Sequence, residues 1–130
     1  MKLITPVECG NLPVSVSLSD KAMILGSNAN LNGGGLYENA ILCELVSKGY
    51  RVYYYNSNRL GELDFVIEYN GHILPIEVKS GKDYTVHSAL DRLLSVEDYA
   101  VKRAYVLSNE GNVSEKNGVT YMPVYNVMFF

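Results

Sequence analysis

Two runs of strand-like residues, 62–69 and 72–79, are joined by the dipeptide Asn70-Gly71. Both central positions of the tightest hairpin turn need a positive φ, which Asn and Gly adopt readily, so this dipeptide is a strong signal for a β-hairpin. A two-residue turn also fixes the register, because residues equally distant from it face each other. The sequence therefore predicts an antiparallel pair of strands in which Asp64 faces Glu77.

This register places two like charges side by side. Asp64 and Glu77 form a non-hydrogen-bonded pair, for which Cα atoms lie about 4.5 Å apart. By the same register Glu62 faces Lys79, and because alternate residues share a face, all four charged side chains are predicted on one side of the hairpin. The opposite side is apolar and is predicted to be core: Leu63, Phe65, Ile67, Ile76 and Val78.

Facing carboxylates destabilise a sheet unless solvent or a cation separates their charges. Hard ions such as Mg²⁺ or Mn²⁺ accept oxygen ligands from one or two carboxylates together with water and phosphate oxygens. The pattern has two interpretations at this point: a metal site beside Lys79, or an exposed strand pair with a cross-strand salt bridge. Glu62 is interpreted as the partner of Lys79, with a fourth metal ligand as the alternative.

A helix is predicted over residues 36–48, where apolar residues recur every three or four positions. Glu38 lies on the core-facing stripe of this helix, where a carboxylate needs a partner such as a nearby cation. Glu44 lies on another face and forms an ordinary i, i+4 pair with Lys48. The stripe itself is apolar: Ile41, Leu42, Leu45 and Val46.

The order of the remaining elements indicates an α/β fold. The glycine-rich segment 28–35 is predicted to precede the first helix, which three antiparallel strands follow, beginning with 51–55. A second helix is expected within 85–98, then strands at 103–107 and 119–124. Alternation in a half-buried strand accounts for at least two of the tyrosines at 53, 54 and 55 as core residues, and stacking on nucleic-acid bases is the less favoured alternative.

The motifs that carry the carboxylates resemble the PD-(D/E)XK nuclease superfamily. The pattern is a helix with Glu38, a hairpin with Asp64, then Glu77-Val78-Lys79, then a helix and a strand. More narrowly, the chain resembles the uncharacterised C-terminal domain of bacterial and archaeal AAA-type ATPases over about residues 33–108. The matching segments are Gly35-Leu36-Tyr37-Glu38-Asn39, Tyr53-Tyr54-Tyr55, Glu62-Leu63-Asp64-Phe65-Val66-Ile67-Glu68 and Pro75-Ile76-Glu77-Val78-Lys79-Ser80-Gly81-Lys82.

The resemblance implies a three-layer α/β/α restriction-endonuclease-like fold with a central mixed sheet of four to five strands. It implies a metal-dependent nuclease-like phosphodiesterase that acts on DNA and is associated with an AAA-type ATPase. Glu38, Asp64 and Glu77 would bind Mg²⁺ or Mn²⁺, and Lys79 would be the catalytic lysine. Ser80 and Lys82 are candidate phosphate contacts. The alternative is a non-catalytic nucleic-acid-binding or protein-interaction module that retains the nuclease fold.

Two features of the motifs depart from the family pattern. Leu63 replaces a proline before Asp64, which leaves the ligand in place. Pro75 lies within a predicted central strand, and its missing N–H is expected to face the neighbouring strand before pairing begins there. Gly81-Lys82 has no glycine five positions before it and is followed by Asp83, so we expect no ATP-binding P-loop and no ATPase domain in this chain.

Length and charge limit the remaining possibilities. The 130 residues suit a single domain, with the core at about 33–124 and an irregular segment at 1–32, where 14–18 alternate like a short edge strand. A net charge of −3 argues against binding nucleic acid by bulk electrostatics. The absence of a long apolar run or secretion signal predicts a cytoplasmic protein with no membrane contact.

Several residues have ordinary structural interpretations. The two cysteines are expected to be free buried thiols, and a disulfide is the less favoured alternative. His72 and His87 are expected at the surface because neither has a metal-ligating neighbour at suitable spacing. The apolar tail 127–130 suggests a surface that a partner covers, either an ATPase region or a second copy of the chain.

Overall fold

The computed structural model describes residues 4–6, 33–109 and 111–130, with side chains described from residue 37 onward. The predicted edge strand at 14–18 lies outside these residues.

The described strands form one mixed seven-stranded sheet in the order β1-β2-β3-β4-β5-β7-β6. β1 to β4 are successively antiparallel, whereas β5 runs parallel to β4 and β7 runs parallel to β5. The strands are β1 (Ile4–Pro6), β2 (Val52–Ser57), β3 (Gly61–Tyr69), β4 (His72–Lys79), β5 (Ala104–Ser108), β6 (Ser114–Lys116) and β7 (Val119–Pro123). The five predicted strands correspond to β2, β3, β4, β5 and β7, and the three-residue strands β1 and β6 extend the sheet at its two edges.

The helices differ from the predicted bounds for physical reasons. Helix α1 (Gly33–Ser47) includes three glycines that were expected to precede it. Glycine can adopt helical angles, and the first turn has N–H groups without intrahelical partners in any helix. Helix α2 (Ser88–Leu94) is shorter than expected because Val96 is extended, and a separate 3₁₀ turn follows at Glu97–Tyr99.

The two faces of the sheet carry separate hydrophobic cores. α1 packs on one face, and its fully buried side chains are Ile41, Leu42 and Leu45, as the helical stripe predicted. α2 contributes Leu90 and Leu93 to a second cluster on the other face. Both faces of the central strands are therefore covered by a helix, which confirms the mixed α/β class.

A bulge in β3 breaks the expected alternation. Tyr53 pairs with Val66 and Tyr55 pairs with Leu63, so two residues of β3 lie opposite one residue of β2. As a result Leu63 joins the same core cluster as Val66, whereas Phe65 lies in the α1 cluster. The prediction that Leu63 and Phe65 share a face is wrong, because the bulge at Asp64 shifts the strand by one residue.

The end of α1 is tied to the last turn of the chain, a 3₁₀ segment at Val124–Phe129. Lys48 Nζ donates a hydrogen bond to the Met128 carbonyl oxygen at 2.6 Å and lies 3.8 Å from Glu44 Oε1. Val127 is buried in the α1 core cluster. The predicted Glu44–Lys48 pair is confirmed, and Lys48 additionally connects two segments that are distant in sequence.

Two further predictions concern membrane-crossing helices and the cysteines. Within the described part of the chain, no helix is both long enough and apolar enough to cross a bilayer. Cys43 is disulfide-bonded, and the described residues include no free cysteine, so the expectation of a free thiol at this position is wrong.

Candidate functional site

Asp64 lies where the regular pairing of β3 and β4 stops. The paired register runs from Tyr69–His72 to Phe65–Ile76, as the Asn70-Gly71 turn predicted. At the next step the backbone N–H of Val78 donates to Asp64 Oδ2 at 2.7 Å. A carboxylate oxygen thus accepts the hydrogen bond of an N–H that a regular ladder would pair with a carbonyl oxygen.

Glu77 is the buried carboxylate of the site, with 8% of its surface exposed. Its Oε1 atom accepts a hydrogen bond from Lys79 Nζ at 2.8 Å, whereas its buried Oε2 atom has no hydrogen-bond partner. A buried carboxylate oxygen without a donor is costly, so this atom is well placed to bind a cation or a proton donor.

Lys79 pairs with Glu77 and not with Glu62, so that predicted salt bridge is wrong. Glu62 is exposed on the outer side of the bulge, where it pairs with Asn56 of β2. The negative charge of Glu62 nevertheless interacts with the site, because it helps to raise the pKa of Glu38.

The electrostatics show that three carboxylates share one small region. Burial, followed by the charge of Glu77, raises the pKa of Asp64 from 3.8 to about 7, against the lowering effect of the Val78 hydrogen bond. Burial and then the charge of Glu77 also raise the pKa of Glu38 above its ordinary 4.5, and Lys79 lowers it. The region therefore has more negative charge than one lysine compensates, which favours proton uptake or binding of a cation.

The donor set suits a hard divalent ion. Asp64 and Glu77 offer oxygen atoms only, and Mg²⁺ commonly uses one or two carboxylates with water and phosphate oxygens completing its octahedron. Among the side chains that the structure describes, no group of three or more His, Cys, Asp and Glu is arranged to hold a metal ion. The described side chains therefore form no preformed three-ligand cage, and Glu38 is linked to Asp64 and Glu77 through its electrostatic interaction with them.

The other predicted contacts are peripheral. Ser80 and Lys82 are exposed in the loop that follows β4, within a few residues of Lys79. Pro75 is the last residue of β4 before its pairing with β5 begins at Ile76–Tyr105, as its missing N–H required. His72 is exposed beside the hairpin turn, as expected.

Sequence reasoning missed a buried polar group on the α2 face. His87, predicted at the surface, is only 6% exposed, and its Nε2 atom lies 2.6 Å from the Tyr121 hydroxyl. Its Nδ1 atom lies 3.0 Å from Asp91 Oδ1, although the two are not aligned as a hydrogen bond. These residues line a cavity of about 560 Å³. His87 and Asp91 are spaced i, i+4 at the start of a helix, which was the one available signal.

The family comparison covers most of the chain. Residues 33–127 match the model of a domain of unknown function, DUF4143. The chain belongs to the DUF4143 family. No curated protein and no solved structure matches it significantly. The matched residues contain α1, the hairpin and all four site residues, so Glu38, Asp64, Glu77 and Lys79 lie within the DUF4143 domain.

Proposed function

We propose that this DUF4143 chain is a metal-dependent phosphodiesterase domain with a restriction-endonuclease-like α/β/α fold, and that its substrate is DNA. The observation that carries the proposal is a buried Glu77 whose Oε2 atom has no partner and whose charge raises the pKa of the neighbouring Asp64. Carboxylates of an exposed strand pair would be solvated rather than buried. A buried carboxylate with only a structural role would normally have a hydrogen-bond donor on each oxygen.

Each residue has a distinct role in the proposal. Asp64 and Glu77 would hold Mg²⁺ or Mn²⁺, and Glu38 would assist directly or through water. The bound ion would supply Lewis-acid chemistry toward a phosphodiester.

The Lys79 side chain is 30% exposed while its Nζ atom is hydrogen-bonded to Glu77, so a phosphate oxygen would approach an ammonium group that the carboxylate orients. This group would stabilise the negative charge that develops on the phosphate. Ser80 and Lys82 would contact flanking phosphates.

The association with an AAA-type ATPase is part of the same proposal. It is supported by the segments that resemble the C-terminal domain of such ATPases, which include the Glu77-Val78-Lys79 motif. The ATPase would be encoded in the same chain or supplied as a separate protein, and it would deliver DNA to the carboxylates.

Two assays test the proposal. Mn²⁺ binding is measured by titration calorimetry, and nicking of supercoiled DNA is measured with Mg²⁺ or Mn²⁺. We expect the double variant Asp64→Asn, Glu77→Gln to lose both activities. We expect Lys79→Met to retain metal binding and to lose nicking by at least a hundredfold. Glu68→Gln is the matched control, since it removes an exposed carboxylate from the same strand.

The outcomes separate the possible failures. If the parent binds no Mn²⁺, with or without DNA, the proposal is wrong. If the control variant loses activity as much as the double variant, the loss reports net charge and not this site. Metal binding without nicking would support the site but contradict catalysis by the isolated chain.

A second candidate function is a protein-interaction module that retains the fold without catalysis. The observation that favours it is a set of exposed apolar side chains in the last turn, namely Tyr125 (64%), Met128 (58%) and Phe129 (80%). Such side chains are typical of a surface that a partner covers, either an ATPase region or a second copy of this chain. Sedimentation of the parent and of a Met128→Ser, Phe129→Ser variant tests self-association. Identical monomeric behaviour of both would exclude a second copy.

A further inference from the structure

A cavity of about 350 Å³ opens at the hairpin end of the sheet, away from the carboxylates. It lies between the turn that joins β3 to β4 and the segment that leads into β5. Its lining comes from both segments: Tyr69, Asn70, His72, Ile73, Leu74, Ala100, Lys102, Arg103 and Tyr105.

The charge of this cavity is opposite to that of the chain. Lys102 and Arg103 line it, and no carboxylate is among the lining residues. Neither Lys102 nor Arg103 forms an ion pair with any residue that the structure describes. In a chain of net charge −3, two adjacent unpaired cations at a cavity mark a site for an anion.

Two tyrosine rings, Tyr69 and Tyr105, also line the cavity, and each packs against another aromatic ring. The Tyr69 ring packs against Tyr50 with a centroid distance of 6.1 Å, and the Tyr105 ring packs against Phe130 at 5.0 Å in an edge-on geometry. Tyr69 remains 36% exposed, so a ligand can reach this residue. Fixed aromatic rings beside cations are the combination that binds a nucleobase together with its phosphate.

We propose that this cavity binds a nucleotide unit, with its phosphate at Lys102 and Arg103 and its base against Tyr69. The unit is either a free nucleotide or one nucleotide of a single strand. Binding of a nucleotide within a single strand rests on the proposed function, whereas binding of a free nucleotide does not.

The distance between the cavity and the carboxylates sets how many nucleotides a single strand would need to contact both sites. His72 and Glu77 lie on the same strand five residues apart, which is roughly 17 Å at 3.3 Å per residue. A strand stacked as in duplex DNA advances about 3.4 Å per nucleotide, so about five stacked nucleotides, or fewer in an extended strand, would separate the two sites.

The test measures binding in EDTA, where no metal-dependent cleavage occurs. The probes are AMP labelled on the ribose with a fluorescent group, an eight-nucleotide oligothymidine, and inorganic phosphate as competitor. We expect the Lys102→Ala, Arg103→Ala variant to weaken binding of labelled AMP at least tenfold. The control is Arg59→Ala, Lys116→Ala, which removes the same charge from parts of the chain outside this cavity. Tyr69→Leu should weaken the binding of labelled AMP and should leave the affinity for the competitor, inorganic phosphate, unchanged.

Each outcome decides between the alternatives. Equal loss in both double variants would show bulk electrostatics and would overturn the site, as would the absence of AMP binding in the parent. Equal affinity for AMP and oligothymidine would support a free nucleotide, and at least tenfold tighter binding of oligothymidine would support a strand. An Asp64→Asn variant that loses nicking but keeps AMP binding would show that the two proposals are independent.

Discussion

Replacing Asp64 with Asn should stabilise the metal-free protein at neutral and alkaline pH. In the folded state burial and Glu77 raise the pKa of Asp64 from 3.8 to about 7. Between these values the folded state keeps a proton that the unfolded state has released, so the free energy of unfolding falls as pH rises through this window. The pKa rise of about three units corresponds to about 4 kcal/mol in the free energy of unfolding. This stabilisation is present below pH 4 and is fully lost above pH 7. Asn carries no charge and should remove this pH dependence.

The measurement is urea unfolding of the parent and of Asp64→Asn at half-unit steps from pH 4 to pH 8 in EDTA. We expect the two free energies to converge near pH 4 and the variant to be more stable near pH 8. The Glu68→Gln variant is the control, because an exposed carboxylate on the same strand should leave the parent curve unchanged. If the difference between the parent and Asp64→Asn does not vary with pH, the argument that burial and Glu77 perturb Asp64 is refuted.

Two further stability predictions concern parts of the fold outside the carboxylate site. Tyr121→Phe removes the partner of the buried His87 Nε2 atom and should cost about 1–3 kcal/mol in chemical unfolding; no change would mean that the 2.6 Å contact contributes no net stability. Lys48→Met should destabilise the chain more than Glu44→Gln, because Lys48 also donates to the Met128 carbonyl, whereas an exposed pair contributes only about 0.5 kcal/mol. Equal effects in thermal unfolding would contradict this role of Lys48.

The parts of the fold that the sequence predicted are those governed by local rules. The Asn70-Gly71 turn fixed the register of β3 and β4 up to Phe65–Ile76, and helical spacing identified the buried face of α1. Both depend on interactions between residues close in sequence, where turn geometry and helical periodicity leave few alternatives.

The parts that were missed depend on contacts between distant segments. The bulge at Asp64 follows from pairing with β2, where Tyr55 faces Leu63, and no turn or periodicity signals it. The burial of His87 depends on Tyr121, which is brought close only when β7 joins the sheet. The prediction that Lys79 pairs with Glu62 followed from strict alternation, which the same bulge invalidates.

The hydrogen bond from the Val78 N–H to Asp64 affects how that carboxylate would bind a cation in the proposed metal site. Oδ2 of Asp64 already accepts a hydrogen bond from the backbone of β4, which occupies one of its two lone pairs, whereas Oδ1 accepts none from the backbone of β4. Calcium usually takes six to eight oxygens and often chelates both oxygens of a carboxylate, whereas magnesium prefers single oxygens at octahedral positions. In the proposed metal site, binding through Oδ1 of Asp64 alone would therefore favour magnesium over calcium.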